Sequence, residues 1–361
     1  MMHFRELKGL KDGISTTRIL KEFNIETKFC VDEKELKKLL PEDSEKITFV
    51  TDSHMNTYWK KTNFYKKVFV HEIKNESLGE VEMAETGNPF VKKVIGFGGG
   101  RVLDVAKMLA FKTVSELILV PTAPTHDGLI SKNAALLNGE KKSYSTKFAD
   151  KVIVPEYLWI KSGDLQKAGK LDILGNIIAM QDVSLAIAKG KLEPEEKYMK
   201  MSLYSIKTIL ENGNYKSFTK ALFLSGLAME KSSRYCSGSD HELEKILTPE
   251  TGNGYFHGQL VGTASLLAAK VYETYNKDLP GDLFIEPGNI FKIFLKILKE
   301  RELFEYAILP LKEIDANRMA GWLKRASAVR PERYTLWNEI DSEKINWKKI
   351  IEGVVGAHNA G

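Results

Sequence analysis

Cysteine is scarce: Cys30 and Cys236 are the only two in 361 residues, so no disulfide framework is available and a reducing compartment is expected. Long apolar runs are missing as well. No window reaches eighteen uncharged apolar residues, which argues against a membrane span. The first fifteen residues carry charge from Arg5 onward and hold no apolar stretch of a secretory signal, so a soluble cytoplasmic protein is expected. Charge of one sign is lacking too. Fifty-three Lys+Arg stand against 48 Asp+Glu, a net +5 spread along the chain, which excludes a nucleic-acid-binding arm. A mild attraction for anions, such as a phosphorylated metabolite, remains. What is present is an ordinary globular balance, 43% hydrophobic and 28% charged, with length enough for two domains.

Rhythm divides the chain. Up to about residue 155, short β-branched runs alternate with helical patterns: Ile47–Val50, Val68–Ile73, Lys93–Phe97 and Leu117–Val120 read as strands. The last two are continuous apolar runs ended by Gly or Pro, as in parallel strands buried on both faces. Between them Val102, Val105, Ala106, Leu109 and Ala110 fall at spacings of three and four, a helix with one apolar stripe. Strand, helix, strand at this pace means βαβ units and a parallel sheet. After Pro155 helical patterns take over, at 176–190, 195–211, 218–232, 258–275, 289–301 and near 344–355. The expected architecture is an α/β nucleotide-binding domain with a parallel sheet (1–155), then an all-helical domain (156–361).

Three segments carry chemistry. Gly98-Gly99-Gly100 follows a strand and opens a helix, where absent side chains let a pyrophosphate reach exposed N–H groups and the positive helix end. The string Gly-x-Gly-Gly-Gly-x-x-x-Asp, ending at Asp104, differs in spacing from the common dinucleotide fingerprint. Asp104 alternatively serves the helix dipole alone. Next comes Pro121-Thr122-Ala123-Pro124-Thr125-His126-Asp127-Gly128, at the carboxyl edge of the following strand, where open α/β sheets bind ligands. It reads equally as a Pro-rich turn. The third is dispersed: Asp172, His241 in Ser237-Gly238-Ser239-Asp240-His241, and His257 in a Gly-rich stretch. Two imidazoles and a carboxylate suit a divalent first-row metal with positions left open. Spacing lends no support, and each histidine also fits a helix cap or a solvated ring.

In this order, the glycine loop, Pro-Thr-x-x-x-His-Asp-Gly, Ser-Gly-Ser-Asp-His and His-Gly-Gln resemble the sn-glycerol-1-phosphate dehydrogenases. These belong with the iron-containing alcohol dehydrogenases, glycerol dehydrogenases and dehydroquinate synthases. Phe223–Met229, Ser232-Ser233-Arg234 and Arg330-Pro331-Glu332-Arg333-Tyr334-Thr335 add to the likeness. The resemblance implies a dehydroquinate-synthase-like fold, a cleft between its domains, and reduction of dihydroxyacetone phosphate to sn-glycerol 1-phosphate by NADH or NADPH. It implies that Asp172, His241 and His257 hold one divalent metal, zinc first, with nickel or iron as alternatives. Gly98, Gly99, Gly100 and Asp104 would hold the cofactor, with Thr122 and Thr125 alongside. Asp52, after the strand 47–50, takes the place of an acidic residue near the adenosine ribose, which leans toward NAD. Asp127 would orient a substrate hydroxyl, and His257 would serve the reacting centre as a ligand. A metal-bound water or His126 is the candidate proton relay.

The implied partners are a small phosphorylated substrate and, as an open matter, further copies of the chain; no nucleic acid or membrane is expected. A polyol dehydrogenase acting on an unphosphorylated substrate shares the same apparatus. A dehydroquinate-type lyase would need several converging cations for a larger carboxylated substrate. A non-catalytic redox sensor would keep the glycine loop but give Asp172, His241 and His257 no reason to converge.

Overall fold

Among the described residues, eight short segments take up the extended backbone: β1 (Glu26–Cys30), β2 (Ile47–Thr51), β3 (Phe69–Glu72), β4 (Lys93–Gly98), β5 (Glu116–Pro121), β6 (Asn133–Asn138), β7 (Glu140–Ser145) and β8 (Lys151–Pro155). They come from a computed structural model that describes residues 3–9, 15–62, 66–211, 214–252 and 254–357. Six strands form a parallel sheet in the order β1-β8-β5-β4-β2-β3. The remaining two, β6 and β7, make an antiparallel hairpin that turns at Gly139, where φ is 75°. The hairpin and the strands β1 and β8 were not assigned from the sequence. β7 is almost wholly exposed and charged, so it shows no buried face to read.

The central strands β2, β4 and β5 are buried nearly throughout, because side chains pack on both faces. On one face Phe49, Phe97, Ile95, Ile118 and Val120 pack with Trp59, Met55 and Leu36. Phe49 stacks on Trp59 with ring centroids 4.0 Å apart. On the other lies α1 (Gly100–Lys112), whose Val102, Leu103, Val105, Ala106, Leu109 and Ala110 are buried. Strand and helix approach so closely that a side chain at Gly96 would meet Ala106 Cβ at 2.7 Å. The chain moves from β2 outward to β3, then returns past β2 to β4 and on to β5 in the opposite direction. The strand order therefore reverses between β2 and β4, and the carboxyl ends at that reversal are Thr51-Asp52 and Gly98-Gly99-Gly100.

The helical unit is built around α2 (Asp164–Ala188), which starts twelve residues earlier than its apolar pattern suggested. It is apolar and long enough to cross a membrane, yet 89% of that stretch is buried inside the protein. Several of its buried polar groups find partners across the unit. Asn176 donates to Ser205 and Ser225 Oγ at 2.9 and 2.8 Å, and Gln181 exchanges two bonds with the Ile285 backbone. Asp182 accepts from Ser239 N, Tyr272 Oη and Leu336 N at 2.6, 2.7 and 2.8 Å. Around it lie α3 (Glu196–Glu211), α4 (Tyr215–Ala228), α5 (Ser239–Thr251) and α6 (His257–Thr274), then shorter helices to Gly356.

The compact units divide after Gln166, inside the first turn of α2, rather than at 155. Residues 156–166 stay with the sheet because Trp159 is fully buried and its indole N–H donates to Pro121 O at 2.6 Å. Residues 3–9 belong with the helical unit instead of the sheet, tied by Phe4 N to Phe284 O at 2.8 Å.

Candidate active site

Within the α/β unit, Gly99 caps α1 without any side-chain hydrogen bond, which leaves the first amides of a thirteen-residue helix pointing outward. The three glycines are not equivalent. A Cβ on Gly98 would sit 2.6 Å from Val102, and one on Gly100 would sit 2.3 Å from His126 Nε2. At Gly99 it would meet nothing within 4 Å. The protein's own packing thus requires glycine at 98 and 100, while 99 opens onto free space over the helix end. Thr122 N donates to Gly98 O at 3.0 Å, fastening the neighbouring loop to this one. Thr125 Oγ1 is buried and has no hydrogen-bond partner among the described residues. Asp52 lies at the sheet's reversal point and accepts from Met55 N at 2.9 Å, capping the next helix.

Two members of this loop system do something the sequence did not suggest. The His126 ring is clamped between glycines, since a Cβ on Gly128 would also strike its Nδ1, at 2.5 Å. Asp104 is spoken for by protein: it accepts from Ala135 N at 3.0 Å and lies 3.3 Å from Lys107 Nζ. Lys107, 1% exposed, donates to Gly128 O at 2.6 Å and Asn133 O at 3.0 Å. Burial pushes the Asp104 carboxyl up and the Lys107 ammonium down, each opposed by the other's charge. The pair fastens α1 to the loop that carries Asp127, itself buried at the start of a single 3-10 turn.

In the helical unit three elements meet through small residues. A side chain at Gly258 would sit 2.0 Å from Ala168 O, so the start of α6 lies against the α2 backbone. Gly238 approaches Ala179 Cα and Asp182 in the same way, at 2.8 and 2.3 Å, and brings the start of α5 onto α2. These contacts assemble the dispersed residues. Asp172 from α2, His241 from the first turn of α5 and His257 at the head of α6 each offer a ligand atom, all within 4.8 Å of one another. Both Nε2 atoms face Asp172 Oδ1, at 3.6 Å from His241 and 3.3 Å from His257.

Each ring has a second carboxylate beside it. His257 Nδ1 pairs with Glu244 Oε1 at 2.9 Å, and His241 Nδ1 lies 3.3 Å from Asp240 Oδ1. The Glu244 bond keeps the His257 proton on Nδ1 and leaves its Nε2 as a ligand, while the Asp240 contact with His241 is one of charge without hydrogen-bond geometry. Asp240 and Glu244 escaped the sequence reading; the signal was the acidic crowding of Asp-His-Glu-Leu-Glu, in which Glu244 follows His241 by three residues. Burial favours the neutral Asp172 carboxyl, but the hydrogen bonds and charges of His241 and His257 overcome it and hold the group well below the usual range. Burial likewise opposes charge on His241, yet Asp240 and Asp172 raise it to about 9. For Glu244, hydrogen-bonded by His257 and Thr248, the balance falls at about 2.

Three buried carboxylates therefore surround two imidazoles. A divalent ion on these three ligands alone would form a net positive centre; the Asp240 and Glu244 carboxylates offset that surplus. With neutral rings the cluster is electron-rich and short of positive charge, and a divalent cation on Asp172, His241 and His257 would satisfy it. The donor set, one carboxylate oxygen and two imidazole nitrogens, fits zinc, nickel or iron.

Comparison with known proteins bears on the whole chain. A family model described as iron-containing alcohol dehydrogenase matches residues 28–155. The glycerol-1-phosphate dehydrogenase [NAD(P)+] of Thermoplasma volcanium is 30% identical over 286 residues, covering 76% of this chain and 76% of that one. The enzyme of the same description from Saccharolobus solfataricus is 31% identical, over 75% of this chain and 76% of its own. Among solved structures, a probable glycerol dehydrogenase from Sinorhizobium meliloti 1021 superposes with a TM-score of 0.65 at 14% identity, covering 93% and 98% of the two chains. A sulfoacetaldehyde reductase from Bifidobacterium kashiwanohense, in complex with NAD+, gives 0.61 at 14% identity, covering 92% and 97%. The structural likenesses speak for the fold.

Proposed function

Since the chain belongs to the iron-containing alcohol dehydrogenase family, among the glycerol-1-phosphate dehydrogenases, we propose that it reduces dihydroxyacetone phosphate to sn-glycerol 1-phosphate with a reduced nicotinamide, reversibly. The observation that carries this is the convergence of Asp172, His241 and His257, each imidazole backed by its own carboxylate. A redox sensor would have no use for such a cluster.

The nicotinamide cofactor supplies hydride and the cation supplies Lewis-acid stabilisation of the developing alkoxide, zinc being our first choice. The chain's own work is to place and to polarise. Gly99 and the first amides of α1 receive the pyrophosphate, with Gly98 and Gly100 shaping the turn beneath. Thr122 and Thr125 flank it, the buried Thr125 hydroxyl being free to bond the cofactor. Asp52, at the sheet's reversal point, accepts from the adenosine ribose and disfavours a 2′-phosphate, so NADH is preferred over NADPH. Asp104 acts indirectly: with Lys107 it fixes the Asp127 loop, and Asp127 orients a substrate hydroxyl. Asp172, His241 and His257 hold the cation in one geometry, so the positional gain is built in before substrate arrives.

Steady-state assays with each reduced nicotinamide, with and without chelator, test the reading. Dihydroxyacetone phosphate is expected to be preferred over dihydroxyacetone by about 10²-fold or more in kcat/KM, the scale of charge-assisted bonds to one phosphate. Chelation is expected to abolish turnover. Equal or better use of dihydroxyacetone would instead make the protein a polyol dehydrogenase.

A further inference from the structure

The segment Arg330-Pro331-Glu332-Arg333-Tyr334-Thr335 serves neither the cation ligands nor the glycine loop, yet it lies across the start of α5. Thr335 Oγ1 donates to Glu242 Oε2 at 2.8 Å, and Trp337 Nε1 donates to Ser239 O at 3.1 Å. Both guanidiniums are half-buried and turned onto the Ser233–Ser237 loop just before α5. Arg330 Nη1 donates to Ser237 Oγ at 2.9 Å; Arg333 donates from Nη1 to Ser237 O at 2.7 Å and from Nη2 to Ser233 Oγ at 3.0 Å. These bonds fix the planes of both groups and leave most of their donors unused.

Lys245 joins them. It follows His241 by four residues, which puts it on the same face of α5 one turn on, about 6 Å away between Cβ atoms. Among the described residues, no carboxylate forms an ion pair with Arg330, Arg333 or Lys245. Burial pushes the Lys245 ammonium down to about 8, with the Arg330 and Arg333 charges among the further causes. Arg333 falls to about 10 for the same first reason, followed by the charges of Arg330 and Arg234. Glu242, Glu244 and Asp240 offset the charge on Arg330 only in part. Two half-buried guanidiniums that repel each other, with the exposed Lys245 adding to the same charge and no carboxylate in direct contact, are expensive to assemble, and a dianion relieves that cost.

We propose that Arg330, Arg333 and Lys245 form an anion pocket one helical turn from the cation site, and that it takes the phosphate monoester of the substrate. The inference deepens the reading above and rests on it for the identity of the ligand, not for the existence of the pocket. Two guanidiniums fixed in orientation match the oxygens of a tetrahedral phosphate, and Lys245 adds a mobile point charge. The pocket would then separate a phosphorylated ketone from its unphosphorylated analogue, leaving the carbonyl end to the cation.

The test uses the metal-loaded enzyme and three variants, R330Q, R333K and K245Q, with two independent readouts. In kinetics, KM for dihydroxyacetone phosphate is expected to rise about 10- to 100-fold in the arginine variants, the loss of one or two charge-assisted bonds, and about 10-fold in K245Q. KM for NADH, and kcat/KM for dihydroxyacetone, should stay within about twofold. In calorimetry, inorganic phosphate is expected to bind the wild type and to bind each variant about 10-fold more weakly or worse. K245Q breaks no hydrogen bond of the described structure, so it answers even if an arginine variant folds poorly. Phosphate binding that is absent in the wild type, or unchanged in K245Q and R333K, overturns the pocket. So does a loss confined to NADPH, or a fall in kcat shared equally by both ketones, which would mark the arginines as a mere clasp of the Ser233–Ser237 loop. Failure of the wild type to reduce dihydroxyacetone phosphate would sink the proposed substrate, while the phosphate titration would still decide the pocket.

Discussion

The two units build their sites by opposite means. In the α/β unit, residues close in sequence do the work: Gly98 to Asp104 and Thr122 to Asp127 lie at the ends of two adjacent strands, and a parallel sheet brings those ends together. In the helical unit, residues 172, 241 and 257 meet only because α5 and α6 touch the backbone of α2 at glycines. A site made by strand ends tolerates changes of side chain at its rim. A site made by helix contact depends on the absence of side chains at the crossing. Glycine thus has different meanings in the two halves: at 99 it borders open space, where the proposed function puts the cofactor, and at 258 it leaves room for the protein.

The sharpest way to break this comparison is to remove a ligand. His257→Ala, or Asp172→Asn, is expected to lose the bound metal in elemental analysis and to lower kcat/KM by about 10³-fold or more, the several kcal/mol that Lewis-acid stabilisation supplies. NADH binding, measured by fluorescence, should persist, because the nucleotide loop belongs to the other unit. Full metal occupancy in His257→Ala would refute the assigned centre.

Next in size is Gly258→Ala, which places a methyl group 2.0 Å from Ala168 O. Backbone cannot step aside as a flexible side chain does, so a loss of about 3 kcal/mol is expected from denaturant titration, with weakened metal binding beside it. A stability change below about 0.5 kcal/mol, the range of ordinary surface substitutions, would mean that the close crossing of α2 and α6 is wrong.

Asp182→Asn is expected to cost about 2 kcal/mol, because three donors converge on one carboxylate and an amide offers a single acceptor atom in exchange. The pH response sharpens the point. Burial, opposed by those three donors, raises the Asp182 carboxyl from its ordinary 3.8 to about 6. The folded state then holds this proton more tightly than the unfolded chain, so its contribution to stability declines as pH rises from about 4 to about 6. Acidifying from pH 7 to pH 5 should therefore recover part of that loss in the wild type and none of it in Asp182→Asn, read as the difference between urea midpoints. Identical pH responses would dismiss the assignment.

The smallest effect is the most diagnostic of the α/β half. Gly99 has φ −80°, which alanine adopts freely, and a Cβ there meets nothing. Gly99→Ala should leave stability within about 0.5 kcal/mol yet weaken NADH binding about tenfold, since the added methyl occupies the ligand's space. Unaltered NADH affinity would remove position 99 from the nucleotide site. Set beside Gly258→Ala, the pair separates glycine kept for a ligand from glycine kept for packing.

Much of this was legible from pattern. The four apolar runs recognised as strands lie in or next to the sheet, and the stripe of Val102, Val105, Ala106 and Leu109 faces it. Periodicity works there because each strand is buried on both faces. β1 was passed over because edge exposure dilutes the same signal, as in Glu26–Cys30, where only Cys30 is fully buried; β8, paired on both sides and buried from Val152 to Pro155, carried the same apolar signal in Val152-Ile153-Val154 as the strands that were read. The start of α2 was missed because its first turns carry Asp164, Lys167 and Lys170, polar residues that hide a helix whose later turns are buried all round. Asp172, His241 and His257 could be picked out by residue type, but only the resemblance gave reason to group them, since no spacing rule links residues 69 and 16 positions apart. Asp240 and Glu244 went unnamed because a carboxylate beside a histidine in sequence is ordinary until the ring's orientation is known. Asp104 changed meaning for a similar reason: its position suggested a ligand contact, and only the fold shows Lys107 and Ala135 already using it.

Local order in the chain settled the alternation of strand and helix, the glycine-rich opening of α1, and the change to an all-helical second half, because each is written in neighbours a few residues apart. Tertiary structure alone decided which carboxylates stand beside the two imidazoles, which glycines are crossings, and that Arg330 and Arg333 both bond the Ser233–Ser237 loop. Those are facts of distance between segments brought together by packing, and hydrophobic periodicity carries no information about the partner a buried face will find.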